Sequence, residues 1–582
     1  MRRHGVPYWR VVATDFDGTL TSGDDVKPGL LAAIAEVRRR GVAVVLVTGR
    51  ILDELRAAFP DVEQHFDAIV AENGAVLAVD GRVRQLCSPL DWRLADSLAH
   101  DGVAHRRGDV LLAGSAADEA RFTHAIRALG LDAQVVVNRN ELMILPAGVS
   151  KGSGVLAILG ILGLSSHNTV AIGDAENDHA LFEVSELGVA VANAVPALKR
   201  HADIVLDQAG GEAVARFLGG PMFTGDVVLP RRWRLKVGTD DEGRSVFLPA
   251  SQLNLLVIGG SGSGKSFFAG MLVEQLIGQR YSLLVVDPEG DHHGLAQLSD
   301  VTVLGGEATL PSLDVALRFI HHRGGVVLDL SPLSEHAQRD YLARLPAELE
   351  ARRSSSGLPH WLVIDEAQTA LGRSGNLPSL FNLRTKGYCL VTWQPDRLAP
   401  AVVDQVDAMI LLTSSPLPEG AINLMQSVGG TAWPNLAQQL QAANGRAVLV
   451  ERGGTGPVTF TPGTRETSHL RHLHKYAQGR LVPERRFHFR SEAGLTGHTA
   501  ANLAELEAEL AVCPASTIRH HCQGNDFSRW IADVFHDRSL ARRIADAEHA
   551  AERGSSSGRG LDEIRVEMVG VLQRRLEDHE VP

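Results

Sequence analysis

The sequence is poor in the features that mark several other classes of protein. Its 582 residues include only four cysteines, which cannot form a disulfide framework in so long a chain, and this favours a reducing cytosol. No apolar run is long enough to span a bilayer, and the polar start of the sequence lacks the apolar core of a secretion signal. We therefore expect a cytoplasmic protein without a membrane partner.

The charge of the chain argues against one kind of contact. The formal net charge is −12, which disfavours non-specific coating of nucleic acid by the whole surface. A local basic channel stays open as an alternative, because net charge averages over the molecule. The composition, 44% hydrophobic and 22% charged, is that of a globular protein, and the length predicts three or four domains.

Strand and helix patterns alternate through two long parts of the sequence. Such alternation is typical of parallel sheets with helices on both faces. Glycine-rich stretches mark the boundaries. Residues 8–218 are predicted to form a first α/β domain, with an inserted α+β cap at about 76–149. Residues 219–253 are predicted to be a linker with a short β ribbon, and residues 254–464 a second α/β domain. Residues 465–550 are predicted to form a small α-helical domain, and residues 551–582 a flexible segment, around Gly554–Gly558, with a terminal helix.

Acidic residues follow two of the predicted strands in the first domain. Asp15 and Asp17 come after an apolar strand near the N-terminus, and Gly18 lets the chain turn away sharply. A later strand is followed by Asp174 and Asp178. Because open α/β sheets place their ligands at the carboxyl ends of the strands, these carboxylates suit a Mg²⁺ site.

Two further residues complete a predicted centre for phosphoryl transfer. Thr48 follows the strand Val42–Val47, where its hydroxyl and nearby backbone N–H groups can hold phosphate oxygens. Lys151 opens a helix and offers a positive charge to the transferring phosphate. One carboxylate as nucleophile, one as acid and base, one lysine and one hard cation are a complete set for this chemistry.

These four motifs, with a cap-sized insert between Thr48 and Lys151, resemble the haloacid dehalogenase (HAD) superfamily, in particular its subclass IIB of sugar phosphatases and phosphoglycolate phosphatases. The resemblance implies a Rossmann-like parallel sheet with an α+β cap. It implies that Asp15 is the nucleophile and forms an aspartyl-phosphate, while Asp17 protonates the leaving group and then activates water. The Mg²⁺ ligands that it implies are Asp15, the Asp17 carbonyl, Asp174 and Asp178.

The cap is expected to select the substrate, a phosphorylated small molecule or a nucleotide. Glu72-Asn73-Gly74-Ala75 matches a strand-end segment common in this subclass. Polar residues of the cap can either face a second anionic group of the substrate or lie on the solvated surface, and both alternatives stay open for Arg106, Arg107, Arg139 and Asn140.

A phosphate-binding loop (P-loop) opens the second α/β domain. The run Gly259–Ser266 follows the apolar strand Leu255–Ile258 and precedes a helix, as such a loop requires, because backbone N–H groups at a helix N-terminus hold phosphates. Lys265 is predicted to contact the β- and γ-phosphates of ATP, and Ser266 to bind Mg²⁺. The predicted nucleotide-binding residues are Gly259, Gly262, Ser263, Gly264, Lys265, Ser266 and Asp365.

A second acidic motif completes the predicted ATPase site. The apolar strand Trp361–Ile364 ends in Asp365 and Glu366. Asp365 would hold the water shell of Mg²⁺, and Glu366 would polarise the attacking water. A further strand ends in Gln394, whose amide can sense the γ-phosphate or position water.

Together with the turn Asp287–Asp291 and the segment Thr392–Pro395, these motifs resemble the HerA/FtsK group of P-loop ATPases. The resemblance implies ring-shaped hexamers that bind ATP between subunits and thread DNA. An arginine finger from a neighbouring subunit is also implied, with Arg384 as the first candidate and Arg397 as the second. The accessory β-barrel of the group is shortened here to residues 228–253, which puts the usual DNA loading in doubt.

The C-terminal part carries histidines and cysteines in clusters. His469, His472 and His474 form one cluster, and Cys513 with His520-His521-Cys522 forms another. Neither has the paired spacing of a zinc site, so structural or surface roles are favoured over metal binding. The segment from Asp526 predicts an amphipathic helix of a docking module, and it resembles a small helical domain of unknown function from bacterial proteins.

Three functions remain as alternatives. The first is a bifunctional enzyme that combines a Mg²⁺-dependent phosphatase with a HerA-like ATPase motor or regulatory ring. The second is a DNA-translocating ATPase of repair or phage defence, in which the phosphatase domain processes nucleotides or DNA-end phosphates. The third is a sugar-phosphate phosphatase gated by an ATPase ring. The sequence favours the first, with Mg²⁺ as cofactor, ATP as a second substrate and a homo-oligomeric assembly.

Overall fold

The structure, a computed structural model, describes residues 8–21, 26–138, 140–223, 232–260, 263–306, 308–372, 381–413, 418, 420–429, 440, 446–454, 456–467, 486–492, 494–534, 538–552 and 560–577. The chain divides into two units, one drawn from Met1–Pro288 and Leu295–Thr467 and the other from Glu289–Gly294 and Ser468–Pro582. Both predicted α/β domains belong to the first unit. No helix among the described residues is both long and apolar enough to cross a membrane.

Short, buried apolar runs form the central strands of the first α/β domain, as expected for a sheet covered on both faces. With those of the cap, they are Val11–Asp15 (β1), Ala43–Val47 (β2), Ala68–Ala71 (β3), Val76–Val79 (β4), Arg82–Gln85 (β5), His105–Arg107 (β6), Leu112–Ser115 (β7), Ala133–Asn138 (β8), Glu141–Pro146 (β9), Thr169–Gly173 (β10), Leu187–Ala190 (β11) and Ile204–Val205 (β12).

The main sheet of this domain has the order β12-β11-β10-β1-β2-β3-β4-β5. Strands β12 to β3 run parallel, and β4 and β5 add an antiparallel edge. Helices cover the sheet, and Pro28 opens the first of them at a position where its missing N–H costs nothing. These helices are Pro28–Arg39, Leu52–Ala58, Val62–His65, Lys151–Leu162, His179–Val184, Pro196–His201 and Gly210–Leu218.

The cap is smaller than the sequence predicted. Strands β4 and β5 lie within residues 76–149, yet they extend the main sheet, because β4 pairs with β3. Asp80 and Gly81, both with positive φ, form the tight hairpin turn that pairs β5 with β4. The cap proper is a four-stranded antiparallel sheet in the order β6-β7-β9-β8, covered by the helices Trp92–His100 and Glu119–Leu129.

The second α/β domain contains an eleven-stranded sheet in the order β14-β13-β23-β22-β21-β15-β20-β19-β16-β18-β17. The strands β21, β15, β20, β19, β16, β18 and β17 run parallel to one another. The strands β14, β13, β23 and β22 pair antiparallel with their neighbours. The strands are Arg234–Thr239 (β13), Ser245–Pro249 (β14), Asn254–Gly259 (β15), Leu283–Asp287 (β16), Val301–Gly305 (β17), Gly325–Asp329 (β18), Trp361–Ile364 (β19), Tyr388–Thr392 (β20), Ala408–Leu412 (β21), Ala447–Glu451 (β22) and Val458–Pro462 (β23).

The β ribbon that the sequence placed in a linker is part of this sheet, because β13 pairs with β23 as well as with β14. Two apolar cores cover the two faces of the sheet. The helices of the domain are Lys265–Gly278, Leu313–Arg318, Glu335–Leu342, Leu345–Ser356, Ala367–Leu371, Pro400–Val403 and Ala421–Gly429.

The second unit is mainly helical, as predicted, but it also contains two strands. A β hairpin of Phe487–Ser491 (β24) and Gly494–Ala500 (β25) precedes the helices, and Phe487 and Phe489 lie in their apolar core. The terminal helix packs into the same core through Ile564 and Met568. The helices are Leu503–Val512, Ala515–Gln523, Asp526–Val534, Arg538–Glu552 and Leu561–Glu577, whereas Gly554–Gly558 lies outside the described residues.

Candidate active sites

The first candidate site lies at the carboxyl edge of the main sheet. Strands β1 and β10 are parallel neighbours, so Asp15 at the end of β1 and Asp174 just after β10 reach the same edge. Asp178 follows in a short 3₁₀ turn. All three carboxylates are buried, and one oxygen from each lies within 4.8 Å of the others. The structure thus brings together three of the four predicted metal-binding aspartates.

Lys151 lies between two of these carboxylates. Its Nζ donates to Asp15 Oδ1 at 2.6 Å and to Asp178 Oδ1 at 2.7 Å, and its side chain is 1% exposed. The helix that carries Lys151 begins at Ser150, whose hydroxyl accepts from the Ser153 N–H while the Ser153 hydroxyl accepts from the Ser150 N–H. This capping box holds Lys151 at the first position of the helix.

Two glycines permit the close approaches that the site requires. A Cβ on Gly74, at φ +109°, would lie 1.9 Å from the carbonyl oxygen of Ser150, beside Lys151. A Cβ on Gly173 would lie 2.6 Å from the Asp178 carboxylate. Any larger residue would therefore displace Lys151 or Asp178.

The charges of this cluster suit a divalent cation. When ionised, the three aspartates carry three negative charges, and Lys151 supplies one positive charge. Two negative charges then remain to be balanced. Carboxylate oxygens are the ligands that Mg²⁺ prefers. Burial raises the pKa of Asp15 well above its usual value, an effect that Lys151 opposes and Asp178 and Asp174 reinforce. Burial lowers the pKa of Lys151, but Asp15 and Asp178 outweigh it and raise that pKa. The residues present therefore fit Mg²⁺.

Asp17 lies apart from the buried cluster. Its carboxylate accepts from Arg50 Nε at 2.9 Å and from the second guanidinium nitrogen at 2.6 Å, and its side chain is 47% exposed. Gly18 has a φ of 81°, as the sharp turn after Asp17 requires. The Arg50 guanidinium also lies 5.1 Å from the centre of the Phe16 ring. Sequence reasoning did not identify Arg50, although it directly follows the Thr48 motif.

Two threonines complete the edge of the first site. Thr48 is buried, and its hydroxyl accepts from the Arg50 N–H at 3.1 Å. The Thr19 hydroxyl donates to Asp174 Oδ1 at 3.1 Å, a contact that the sequence analysis missed. The sequence signal for a role of Thr19 was its position at the end of the Asp-x-Asp-Gly-Thr run.

The cap closes over this edge. Along β9, Leu142 and Ile144 point into the cap's own core, whereas Met143 and Leu145 pack against the main domain. A Cβ on Gly49 would lie 3.1 Å from Met143 Sδ. Little space therefore separates the cap from the turn that follows β2.

A carboxylate of the main domain holds the cap in place. Glu72, which is buried and has a φ of 52°, accepts from the backbone N–H groups of Asp109, Val110 and Leu111 at 2.8, 2.8 and 3.0 Å. Arg106, a candidate for binding a second anionic group, instead contacts Glu54 and Glu141. Arg107 and Asn140 are exposed, and Arg139 lies outside the described residues.

The second candidate site lies at the carboxyl edge of the eleven-stranded sheet. Lys265 begins the helix Lys265–Gly278, and its Nζ contacts the Gly260 carbonyl oxygen at 3.2 Å. Gly264, at φ +93°, makes the turn into that helix. Ser266 is half-buried, and Gly259 ends β15. Ser261 and Gly262 lie outside the described residues.

The predicted acidic pair and amide stand on neighbouring strands of this edge. Asp365 is buried after β19, and Glu366 follows with a φ of 47°. Between β19 and the P-loop strand β15 lies β20, which leads to Gln394. A missed residue, Gln368, links them, because its amide donates to the Glu366 carboxylate and its Oε1 accepts from the Thr392 hydroxyl at 2.6 Å.

Other predicted residues do not join either site. Arg384 and Arg397 are exposed, as an arginine finger for a neighbouring subunit would be. His521 contacts Asp526 through Nδ1 and accepts from the Arg490 N–H through Nε2, which fits a structural role. Cys513 and Cys522 are buried free thiols. His469, His472 and His474 lie outside the described residues.

Models of three known families match separate parts of the chain. Residues 12–98 and 110–218 match haloacid dehalogenase-like hydrolases. Residues 239–363 match the central domain of the helicase HerA, a match that ends before Asp365 and Glu366. Residues 484–582 match a family of unknown function.

Similar proteins cover the N-terminal domain. Phosphoglycolate phosphatase 2 of Saccharolobus solfataricus is 33% identical over 224 residues, which are 36% of this chain and 90% of that protein. The phosphoglycolate phosphatase of Methanopyrus kandleri is 34% identical over 223 residues, 36% of this chain and 95% of its own length. A solved haloacid dehalogenase-like hydrolase of B. subtilis is 19% identical, with a TM-score of 0.32 and coverage of 36% and 99%. Through its N-terminal domain, the chain belongs to the haloacid dehalogenase-like hydrolases.

Proposed function

We propose that the N-terminal domain is a Mg²⁺-dependent phosphatase that hydrolyses phosphate monoesters through an aspartyl-phosphate on Asp15. The observation that supports this most directly is the buried cluster in which Lys151 bridges Asp15 and Asp178. A fixed positive charge beside the nucleophile offsets the negative charge of an approaching phosphate. Mg²⁺ bound by Asp15, Asp174 and Asp178 would further stabilise the charge on the phosphate oxygens.

In the proposed first half-reaction, a carboxylate oxygen of Asp15 attacks phosphorus while the bond from phosphorus to the ester oxygen breaks. The departing oxygen takes a proton from Asp17. Because the Asp17 carboxylate is bound to Arg50, this proton transfer requires that contact to open. The side chain of Asp17 is 47% exposed, so it has room to move.

In the second half-reaction, Asp17 takes a proton from water, and the resulting hydroxide attacks phosphorus. The bond between phosphorus and Asp15 breaks, and inorganic phosphate leaves. Thr48, which follows the β2 residue paired with Asp15, would hold a phosphate oxygen through this exchange. The cycle restores the Asp15 carboxylate and the proton on Asp17, so both residues return to their starting forms.

We propose a small phosphate ester as the substrate. The relatives named above are phosphoglycolate phosphatases, and phosphoglycolate is a small ester. The approach of Met143 to Gly49 supports the same conclusion, because a bulky leaving group would have to displace the cap. Nucleotides and phosphorylated DNA ends are correspondingly disfavoured.

A phosphate-release assay on the full chain tests this proposal. The panel contains phosphoglycolate, sugar phosphates, nucleotides and oligonucleotides with 3′- or 5′-phosphates, each with Mg²⁺ or with a chelator. We expect turnover of the small esters only when Mg²⁺ is present. Equal turnover in the chelator would contradict the metal role, and turnover confined to oligonucleotides would contradict the substrate class.

We propose as a second activity that the middle domain hydrolyses ATP. Lys265 at a helix N-terminus, with Asp365 and Glu366 at the same sheet edge, supports this reading. The family match supports it in part, since it includes the P-loop but not the acidic pair. Assembly into a ring rests on the resemblance to HerA-like ATPases. No feature of the described residues favours the DNA-processing alternative, and we do not propose it.

A further inference from the structure

The two α/β domains share a buried polar cluster. Glu186 directly precedes β11 of the first domain, and its side chain is fully buried. Its carboxylate accepts from the Tyr281 hydroxyl at 2.9 Å and from the Ser251 hydroxyl at 2.5 Å, both in the middle domain. It also contacts His167 Nδ1, in its own domain, at 2.5 Å. We call these four residues the Glu186 cluster.

His167 makes its own contacts across the boundary. Its Nε2 lies 2.7 Å from the carbonyl oxygen of Gln279 and must donate, because a carbonyl oxygen only accepts. Its ring stacks on the Tyr281 ring, with centres 3.6 Å apart. Trp233 packs edge-on against the His167 ring. The imidazole is therefore fixed on several sides by the middle domain.

A second set of contacts lies beside the Glu186 cluster. His360 Nδ1 accepts from the Ser282 N–H at 2.9 Å, so its Nε2 donates to Asn168 Oδ1, 3.0 Å away. Burial, together with His167 and Arg353, lowers the pKa of His360 well below its usual value, consistent with this neutral form. Arg10 donates to the Arg353 carbonyl oxygen at 2.6 Å. Both domains thus supply charged and polar partners to one buried boundary.

The boundary lies at the amino ends of the strands in both sheets. In the first domain, Arg10, Asn168 and Glu186 precede β1, β10 and β11. In the middle domain, Ser282 and His360 precede β16 and β19. Both candidate active sites lie at the opposite, carboxyl ends, and a five-residue strand spans about 17 Å. The two sites therefore face away from each other, each about one strand length from the boundary.

We propose that the phosphatase and middle domains form one cooperative folding unit, joined back to back through the Glu186 cluster. Domains joined by a linker usually have modest interfaces and unfold or move separately. Here the Glu186 carboxylate and the His167 imidazole contact each other within the first domain, but their further partners Tyr281, Ser251 and Gln279 reach them only when both domains are docked in this one geometry. A product of one site must then pass through solvent to reach the other, and any influence between the sites passes through the strands of each sheet and the boundary that joins them. This inference does not depend on either proposed hydrolytic activity.

Unfolding of the full chain in urea, monitored by hydrogen exchange of individual peptides, tests the proposal. Peptides that cover β2 report on the first domain, and peptides that cover β20 report on the middle domain. In the wild type we expect both to unfold at the same urea concentration. Two separate midpoints would overturn the proposal outright.

Two variants and a control sharpen the test. Tyr281→Phe removes one donor to Glu186 while keeping the ring, and we expect it to lower the midpoints of β2 and β20 equally. Glu186→Ala leaves three buried groups without their acceptor and should lower both midpoints further. Glu183→Ala changes an exposed carboxylate three residues earlier and should leave both unchanged. A Tyr281→Phe shift confined to β20 would contradict one cooperative unit.

Discussion

Both the backbone and the side chain of Glu366 are constrained by their surroundings. Its backbone has a φ of 47°, a conformation that is uncommon outside glycine, and Gln368 donates to its carboxylate. Gln368 is itself fixed by the Thr392 hydroxyl, on the strand that leads to Gln394. These contacts link Glu366, the proposed base of the ATPase reaction, to β20 at the edge where the second candidate site lies.

We expect Glu366→Gln to bind ATP but to hydrolyse it slowly. An amide cannot take a proton from water, and a positioned general base contributes about 10² to 10⁴ in rate. ATP hydrolysis and binding of a fluorescent nucleotide measure the two effects separately. Glu350→Gln, which changes an exposed carboxylate of the same domain, is the control. Equal hydrolysis by Glu366→Gln and the wild type would exclude the proposed role.

The sequence predicted residues within motifs better than the contacts between them. Asp15, Lys151, Asp174 and Asp178 could be predicted because each belongs to a short local pattern. The partner of Thr19 could not, because Asp174 lies 155 residues further along the chain. Nor could the pairing of Asp17 with Arg50, which depends on how β1 and β2 align.

At the scale of helices and strands, the second unit contains a buried acid that ties two helices together. Glu548, in the helix Arg538–Glu552, accepts from the N–H groups of Phe527 and Ser528 at the start of the preceding helix, Asp526–Val534. These contacts cap that helix, but burial dominates and raises the pKa of Glu548 to about 7. The folded state therefore favours the protonated acid more than the unfolded state does.

The pH dependence of stability follows from this pKa. A raised folded-state pKa gives a contribution that is complete below the usual value of 4.5 and is lost as the pH rises through about 7. We expect the backbone amides of the helix Asp526–Val534 to be less protected from hydrogen exchange at pH 8 than at pH 5. Protection here means the exchange rate relative to the intrinsic rate at the same pH. Glu548→Gln should flatten this dependence, whereas the exposed control Glu563→Gln should not. The same pH profile in Glu548→Gln and the wild type would refute the assignment.

Strands were predictable where a short apolar run leads into a recognisable motif. The sequence located several parallel strands of the two α/β domains in this way, among them those at Val42–Val47, Leu255–Ile258 and Trp361–Ile364. It missed the hairpin β24–β25, in which Phe487 and Phe489 alternate with polar residues over only five positions. It also placed β4 and β5 in the cap, because only strand pairing assigns them to the main sheet.

At the scale of the whole molecule, the chain joins two α/β domains, and the candidate site of each lies at the carboxyl edge of its sheet, away from the boundary between the domains. The sequence predicted both folds, but it gave no signal for the boundary between them. His167, Glu186 and Tyr281 belong to no motif, and their association depends on docking of complete domains. This arrangement predicts that each chemistry can be abolished without loss of the other.

The most direct test is therefore the full-length Asp15→Asn variant, with both activities measured on one preparation. Loss of the nucleophile removes the covalent route, so phosphate release from the preferred ester should fall by about 10³-fold or more. ATP hydrolysis should stay at the wild-type rate, and the control Asp61→Asn, at an exposed position, should retain both activities. Phosphate release by Asp15→Asn near the wild-type rate would contradict the account.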